Sequence, residues 1–373
     1  MATGKNRIYS LDMLRGILVA AIFFFDTPLE ETMYPIIRHI DWEGFSIAEV
    51  GLPLFAFMMG VSMAISFSRH TPSMKKILSR TMIIFALGLI LENLQALFSL
   101  LLIENFTVQN FFDSAIIHGR FFGVLQRLAI TYIFAVILVR AIKKDTGIFI
   151  AASVLLILSS AGFHLYAPDN PFSQDDNISR TVDYIFPGVN HLLQPTNDPE
   201  GLYGSIAGTA SVLFGYLAGR ILIDTSAINK KIFLICAMGV IFLIVAGLWS
   251  FTDIVSKRLW TAPYTLINAG LDYLSLALCM KVFDTSPPRK KICYLLIALG
   301  RNPLVFFFVN FAVALFLLTL PIGDSNAYMW LFSHTTQGII SPEFGTLLFC
   351  IIWTALWFPV AEIFRRFNII VKI

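Results

Sequence analysis

Apolar residues in this chain do not alternate with polar ones. They come in blocks long enough to cross a bilayer. A helix needs about 20 apolar residues to cover roughly 30 Å of hydrocarbon. Ten blocks meet that length: about 9–27, 47–68, 76–98, 120–141, 147–165, 205–223, 231–250, 262–282, 292–319 and 344–364. The pattern predicts an all-α polytopic membrane protein of about ten transmembrane helices, with an eleventh, re-entrant piece left open around residues 97–103. The ninth block is longer than one span and holds Gly300-Arg301-Asn302-Pro303 inside it. Proline removes a backbone donor and disfavours helix in the residue before it. This block is therefore expected to break into two half-helices at a polar hinge, which is tolerated only against protein or a cavity.

Composition agrees. Of 373 residues 57% are hydrophobic and 14% charged, whereas soluble domains carry roughly 25% charged residues. The longest polar stretch, about 167–204, is too short for a core of its own, so residues 1–373 are expected to form a single transmembrane domain. Cys236, Cys279, Cys293 and Cys350 lie in or beside apolar blocks with no CxxC pair, so packed thiols are expected rather than disulfides or a metal site. The N-terminus lacks a signal-peptide layout, and the first block is expected to stay as a helix. Nineteen of the 27 Lys and Arg residues, from Lys5 and Arg7 through Lys75 and Lys76 to Arg365 and Arg366, fall on one side of these spans. Arg38, Arg120, Arg180, Lys257 and Arg258 fall on the other, and Arg15, Arg127 and Arg301 lie within spans. By the positive-inside rule both termini are cytoplasmic, and the acidic loop 166–204 is external. A bacterial inner membrane is the expected location.

Candidate chemistry concentrates where charge interrupts the blocks, because ionisable groups at membrane depth are expensive and usually functional. Arg38-His39-Ile40-Asp41-Trp42-Glu43-Gly44 sits between the first two spans, at the external mouth, with Asp26 ending the first and Glu49 opening the second. A carboxylate on one imidazole nitrogen fixes the tautomer and makes the other nitrogen a better base; ordinary helix-end acids are the plainer account. Arg127, early in an apolar helix, reads either as a buried pair with Asp26, Glu49 or Glu92 or as an anion contact, and Asp272 in the eighth span is a natural partner for a cation. Arg301 and Asn302 at the broken helix suit an anionic group at exposed backbone dipoles, with Asn310 on the same segment. On the external side, His191, the turn Asp198-Pro199-Glu200-Gly201, and Lys257-Arg258-Leu259-Trp260 are candidates for a sugar, although Trp260 reads first as an interface anchor. Walker, GxGxxG, HExxH and GxSxG motifs are missing, so nucleotide hydrolysis, zinc peptidase and serine hydrolase readings lack their signals.

Ordered along the chain, these motifs resemble a known family. Ser10-Leu11-Asp12-Met13-Leu14-Arg15-Gly16, His39-Ile40-Asp41-Trp42-Glu43-Gly44, Pro53-Leu54-Phe55 and Gly60-Val61-Ser62 come first. Gly123-Val124-Leu125-Gln126-Arg127, Asp198-Pro199-Glu200-Gly201-Leu202, Gly215-Tyr216-Leu217-Ala218-Gly219, Lys257-Arg258-Leu259-Trp260-Thr261 and Leu299-Gly300-Arg301-Asn302-Pro303 follow. Together they resemble the heparan-α-glucosaminide N-acetyltransferase family. The resemblance implies transfer of an acetyl group from cytoplasmic acetyl-CoA, as co-substrate and without a metal, to an amino sugar or glycan on the far side. It implies a catalytic role for His39, with Asp26 and Glu49 beside it. The residue reading sets Arg127, Arg301, Asn302 and Asn310 toward the donor, and Trp42, His191, Glu200, Arg258 and Trp260 toward the acceptor. Asn302 or Asn310 could donate to the developing oxyanion. At two positions the chain departs from the family pattern: Asp26 stands where Asn is expected, and Asn310 where His is expected.

The expected partners are acetyl-CoA, the sugar acceptor and membrane lipids, not nucleic acid; a homodimer is left open. The competing reading is a proton-coupled secondary transporter for a sugar or organic acid, which the broken helix suits but no inverted repeat supports. The acyltransferase reading requires a buried path from a basic phosphate cradle to the imidazole.

Overall fold

The computed structural model describes residues 8–194, 196–285 and 291–371. Lys5, Arg7, Arg289, Lys290 and Lys372, which helped to orient the chain, lie outside them. Eleven helices of eleven residues or more form the body: α1 Tyr9–Phe25, α2 Gly51–Arg69, α3 Met74–Leu102, α4 Val124–Ala141, α5 Asp145–Tyr166, α6 Ser205–Ile223, α7 Ile228–Trp249, α8 Ala262–Cys279, α9 Lys291–Arg301, α10 Pro303–Thr319 and α11 Pro342–Arg366. Among the described residues, eight helices are long and apolar enough to cross a membrane, or nine if the bent pair α9 and α10 counts as one span. The chain is thus an all-α polytopic membrane protein. Each of the ten apolar blocks became helix, α1 being the shortest unbroken one at 17 residues. The re-entrant piece considered around residues 97–103 is instead the last turn and a half of α3, which runs unbroken for 29 residues.

Hydrogen bonds sort the connections onto two ends. At the basic end, Arg140 donates to the carbonyl of Pro72 and Arg220 pairs with Asp145 at 3.1 Å. There the N-terminus of α1 is capped from outside itself: Ser10 N–H and Oγ–H donate to the two carboxylate oxygens of Asp284 at 2.9 and 2.6 Å, satisfying a backbone donor that the helix leaves open. At the opposite end, Trp42 Nε1 donates to the Phe172 carbonyl at 3.0 Å, Gly44 N donates to Val255 O at 2.8 Å, and Arg120 holds Asp198.

Helices in lipid gain little from burying apolar surface against one another, so close packing through small residues matters more. Two pairs show it. A Cβ on Gly60 or Gly215 would stand 2.0 Å from the carbonyl of Val212 or Phe57, locking α2 against α6. A Cβ on Gly16 or Gly300 would stand 1.9 or 2.0 Å from the carbonyl of Leu296 or Asp12, locking α1 against α9. The second contact brings Arg15 and Arg301 together.

The ninth block breaks where proline requires. Pro303 takes the first turn of α10, where its missing donor is harmless, and α9 and α10 meet at 88°. The hinge is not at mid-depth, however. Asn302 Nδ2 donates to Ile369 O at 3.0 Å and its Oδ1 accepts from Val371 N at 2.8 Å, binding the hinge to the segment after α11. The far end of α10, at Thr319, lies beside Leu102 and Ile103 at the end of α3. α10 alone therefore runs from one end of the bundle to the other, and α9 packs on α1 near the basic end.

Candidate active site

At the end opposite the basic surface, residues 38–46 lie over the mouth of the bundle. His39 Nε2 is 3.4 Å from Asp26 Oδ1, and His39 Nδ1 is 3.1 Å from Lys257 Nζ. An ammonium can only donate, so Nδ1 accepts and Nε2 carries the hydrogen that faces Asp26. Glu49 does not touch the ring through a hydrogen bond: its Oε1 accepts from the Ile40 backbone N–H at 3.1 Å, and its carbonyl accepts from Tyr264 OH at 2.8 Å. It thus holds the residue next to His39. Asp26, His39, Glu200 and Lys257 line one cavity of about 350 Å³, whose walls are otherwise mostly apolar side chains of α1, of α2 and the turn before it, and of α8, with Ser275, Val124 and Phe307.

A second network seats Glu200. Arg120 binds Asp198 at 2.6 Å, Glu200 more closely still, and Glu92 at 3.7 Å. Asp198 accepts from the backbone N–H groups of Leu193 and Glu200, so the Asp-Pro-Glu-Gly turn is a clamp, and the helix begins only at Ser205. Burial opposes charge on Glu200, but Arg120, aided by Lys257 and Arg127, holds its carboxyl below the usual range. Asp183 goes the other way. Burial, with a smaller push from Asp198, raises its carboxyl to about 7 against the Leu202 N–H that it accepts.

Arg127 proves to be part of this network rather than of the opposite end. It is buried, donates to Gly201 O, and stacks 4.7 Å from the Trp260 ring centroid. None of the partners foreseen for it (Asp26, Glu49, Glu92) pairs with it among the described residues. Trp260 is not an interface anchor: it is 1% exposed, with φ +51°, a conformation that bulky residues rarely adopt. The turn that places Trp260 under Arg127 also aims Lys257 at His39. His191 Nδ1 meets Gly119 O at 2.8 Å as a loop latch, and Trp42, half-buried, is bonded to Phe172; Arg258 is half-exposed. Asp272 is buried in α8, with no cation paired to it among the described residues. Asn310 accepts from Trp353 Nε1 at 2.9 Å, a tie between α10 and α11. Asn302 is committed to residues 369 and 371 through both its amide nitrogen and its amide oxygen.

At the basic end lies a cavity of about 320 Å³ lined by Arg15, Arg80, Arg301, Asn302 and Ser62. It adjoins a wider one that adds Arg69, His70 and Lys76. Arg15 donates to Ser62 Oγ and lies 3.7 Å from Asp12. Arg15 and Arg80 were missed as donor-side candidates, although Arg15 in an otherwise apolar helix was signal enough. Lys257 stood among the acceptor-side candidates, but its pairing with His39 has no local signal, because the two are 218 residues apart in sequence. Leu18 and Phe55 line both this cavity and the His39 cavity. The expected open path is thus two cavities back to back, with those two side chains between them.

Fold and site together define a polytopic helical membrane protein with a histidine–carboxylate–amine cluster at one end and an arginine-lined cavity at the other. Its sequence matches the family model "Heparan-alpha-glucosaminide N-acetyltransferase, catalytic" over residues 7–187, which hold Arg15, Asp26, His39 and Arg127. Heparan-alpha-glucosaminide N-acetyltransferase from Homo sapiens is 23% identical over 435 aligned residues, covering 98% of this chain and 60% of the relative. The enzyme of that name from Mus musculus is 22% identical over 343, covering 76% and 50%. The chain is similar to these enzymes, and it spans half to three-fifths of their length.

Proposed function

We propose that this chain is a transmembrane acetyltransferase that takes acetyl from acetyl-CoA at its basic end and passes it to the nitrogen of an amino sugar or glycan at the other. The relatives' name carries that chemistry, and the Lys and Arg bias supports a cytoplasmic basic end by the positive-inside rule. One observation supports the reading above the rest: the His39 cavity and the Arg15–Arg301 cavity share Leu18 and Phe55 as walls. An acetyl-CoA held by its phosphates among Arg15, Arg80 and Arg301 would thereby lie one side-chain layer from the cavity that His39 lines.

The base is His39. Its basic lone pair is at Nδ1, where Lys257 donates, so the acceptor amine takes the place of Lys257 there. Nδ1 removes a proton as the nitrogen attacks the acetyl carbonyl, and Asp26 at Nε2 stabilises the imidazolium that forms. The carbon–sulfur bond breaks, and the thiolate leaves among arginines. Glu49 and Glu200 serve as supports, the first holding the His39 segment and the second facing the acceptor.

Membranes containing the protein, radiolabelled acetyl-CoA and glucosamine acceptors test this directly. Transfer by the wild type should fall about 10²–10⁴-fold in His39→Ala, the usual contribution of general base catalysis. Equal transfer by both would remove His39 from the reaction. Uptake of sugar into vesicles with no acetyl donor would favour a transporter instead.

A further inference from the structure

The acceptor cavity already contains an amine. Among the described residues that line it, Lys257 carries the one primary amine, and Nζ stands 3.1 Å from His39 Nδ1. The loop bearing Lys257 is pinned on several sides. Gly44 N donates to Val255 O at 2.8 Å, the Thr261 hydroxyl bridges Ser256 N and Ile254 O, and Asp253 is held by Ser160 and His164 of α5. A sugar nitrogen must come within hydrogen-bond distance of the imidazole lone pair to be activated. Lys257 occupies that place by construction of the fold.

We infer that Lys257 is itself an acetyl acceptor, modified on Nζ when an acetyl thioester reaches the cavity and no sugar amine is bound. The inference rests on the acetyl-transfer reading above. In the step, His39 Nδ1 takes one proton from the ammonium, and the freed lone pair forms a bond to the acetyl carbonyl carbon. The carbon–sulfur bond breaks with its electron pair on sulfur. The second proton of the nitrogen goes to the thiolate, and the imidazolium returns its proton to solvent. The products are Nε-acetyl-lysine and the free thiol, with nothing oxidised or reduced. The acetylated side chain has lost its charge beside Asp26 and Glu200 and leaves an acetamide where the sugar product would sit, so modification silences the site.

Purified full-length protein incubated with isotopically labelled acetyl-CoA and no sugar, then digested and read by mass spectrometry, tests this. Label at Lys257 should appear on the order of a hundredfold faster than at the exposed Lys143 and Lys144, the margin that a positioned base provides. In His39→Gln the Lys257 rate should drop to that of those two lysines, and glucosamine in excess should slow labelling of the wild type. A sugar product formed while Lys257 stays unlabelled, or labels no faster than Lys143, overturns the inference and leaves the acetyl-transfer reading standing. No label on any sugar or on Lys257, with acetyl-CoA bound as judged by thermal stabilisation, overturns both.

Discussion

At the residue scale, the network around Arg120 sets charges against burial in opposite directions. Glu200 stays ionised because Arg120 lies against it, whereas Asp183, buried with only one N–H to accept from, holds its proton to about pH 7. Between the ordinary carboxyl value of 3.8 and about 7 the folded chain therefore binds more protons at Asp183 than the unfolded chain does. Its contribution to stability is full below that window and declines as pH rises through it, by at most about 1.4 kcal/mol per pH unit. Asp183→Asn keeps the acceptor for Leu202 and cannot ionise. The melting temperature of the wild type minus that of Asp183→Asn should thus fall as pH is raised from about 4 to about 7, then stay level. A difference that is flat across that window would mean that Asp183 titrates as an ordinary surface carboxyl.

At the scale of elements, the decisive contact is α1 on α9. Gly16 and Gly300 each face a backbone carbonyl at a distance no Cβ can occupy, and each precedes or follows an arginine of the basic cavity. Gly300→Ala must push the helices apart, for about 1–3 kcal/mol of lost stability, and should weaken acetyl-CoA binding because Arg15 and Arg301 separate. Gly247→Ala in α7, where nothing lies within 4 Å, is the matched control and should be neutral or slightly stabilising. Thermal stabilisation by acetyl-CoA reads both effects; a Gly300→Ala chain as stable and as well bound as the control would refute the argument. The helices themselves were legible because lipid forces apolar residues into contiguous runs, and His39 and Asp26 because charge stands out against such runs. The depth of the break was not, since it depends on Asn302 meeting residues 369 and 371. Lys257, Arg120 and Trp260 reach the site through loop contacts that no local pattern encodes.

On the scale of the whole molecule, a transferase with substrates on opposite sides of a membrane must let an acetyl group cross while denying water the thioester. Two cavities separated by one layer of side chains meet that demand better than an open tunnel would, because a tunnel would hydrolyse the donor whenever the acceptor is missing. Leu18 and Phe55 form the layer, and Phe55 is braced edge-on by Phe307 at 6.2 Å. The resting molecule is thus closed at its centre, and the acetyl transfer proposed above would require Phe55 to move. Phe55→Ala should join the cavities. Acetyl-CoA hydrolysis without acceptor, in which water attacks the carbonyl to give acetate and thiol, should rise severalfold, and the fraction of acetyl reaching sugar should fall. Truncating a large core aromatic can itself cost about 3–5 kcal/mol, so Phe55→Leu, which opens a smaller gap, is measured beside it with the melting temperature of each. Graded leakage from wild type through Leu to Ala, in folded protein, is the expected order. Leakage that stays at the wild-type level in both variants would leave the barrier to Leu18, the other side chain common to both cavity walls among the described residues, and would remove Phe55 as the element whose movement joins the two cavities.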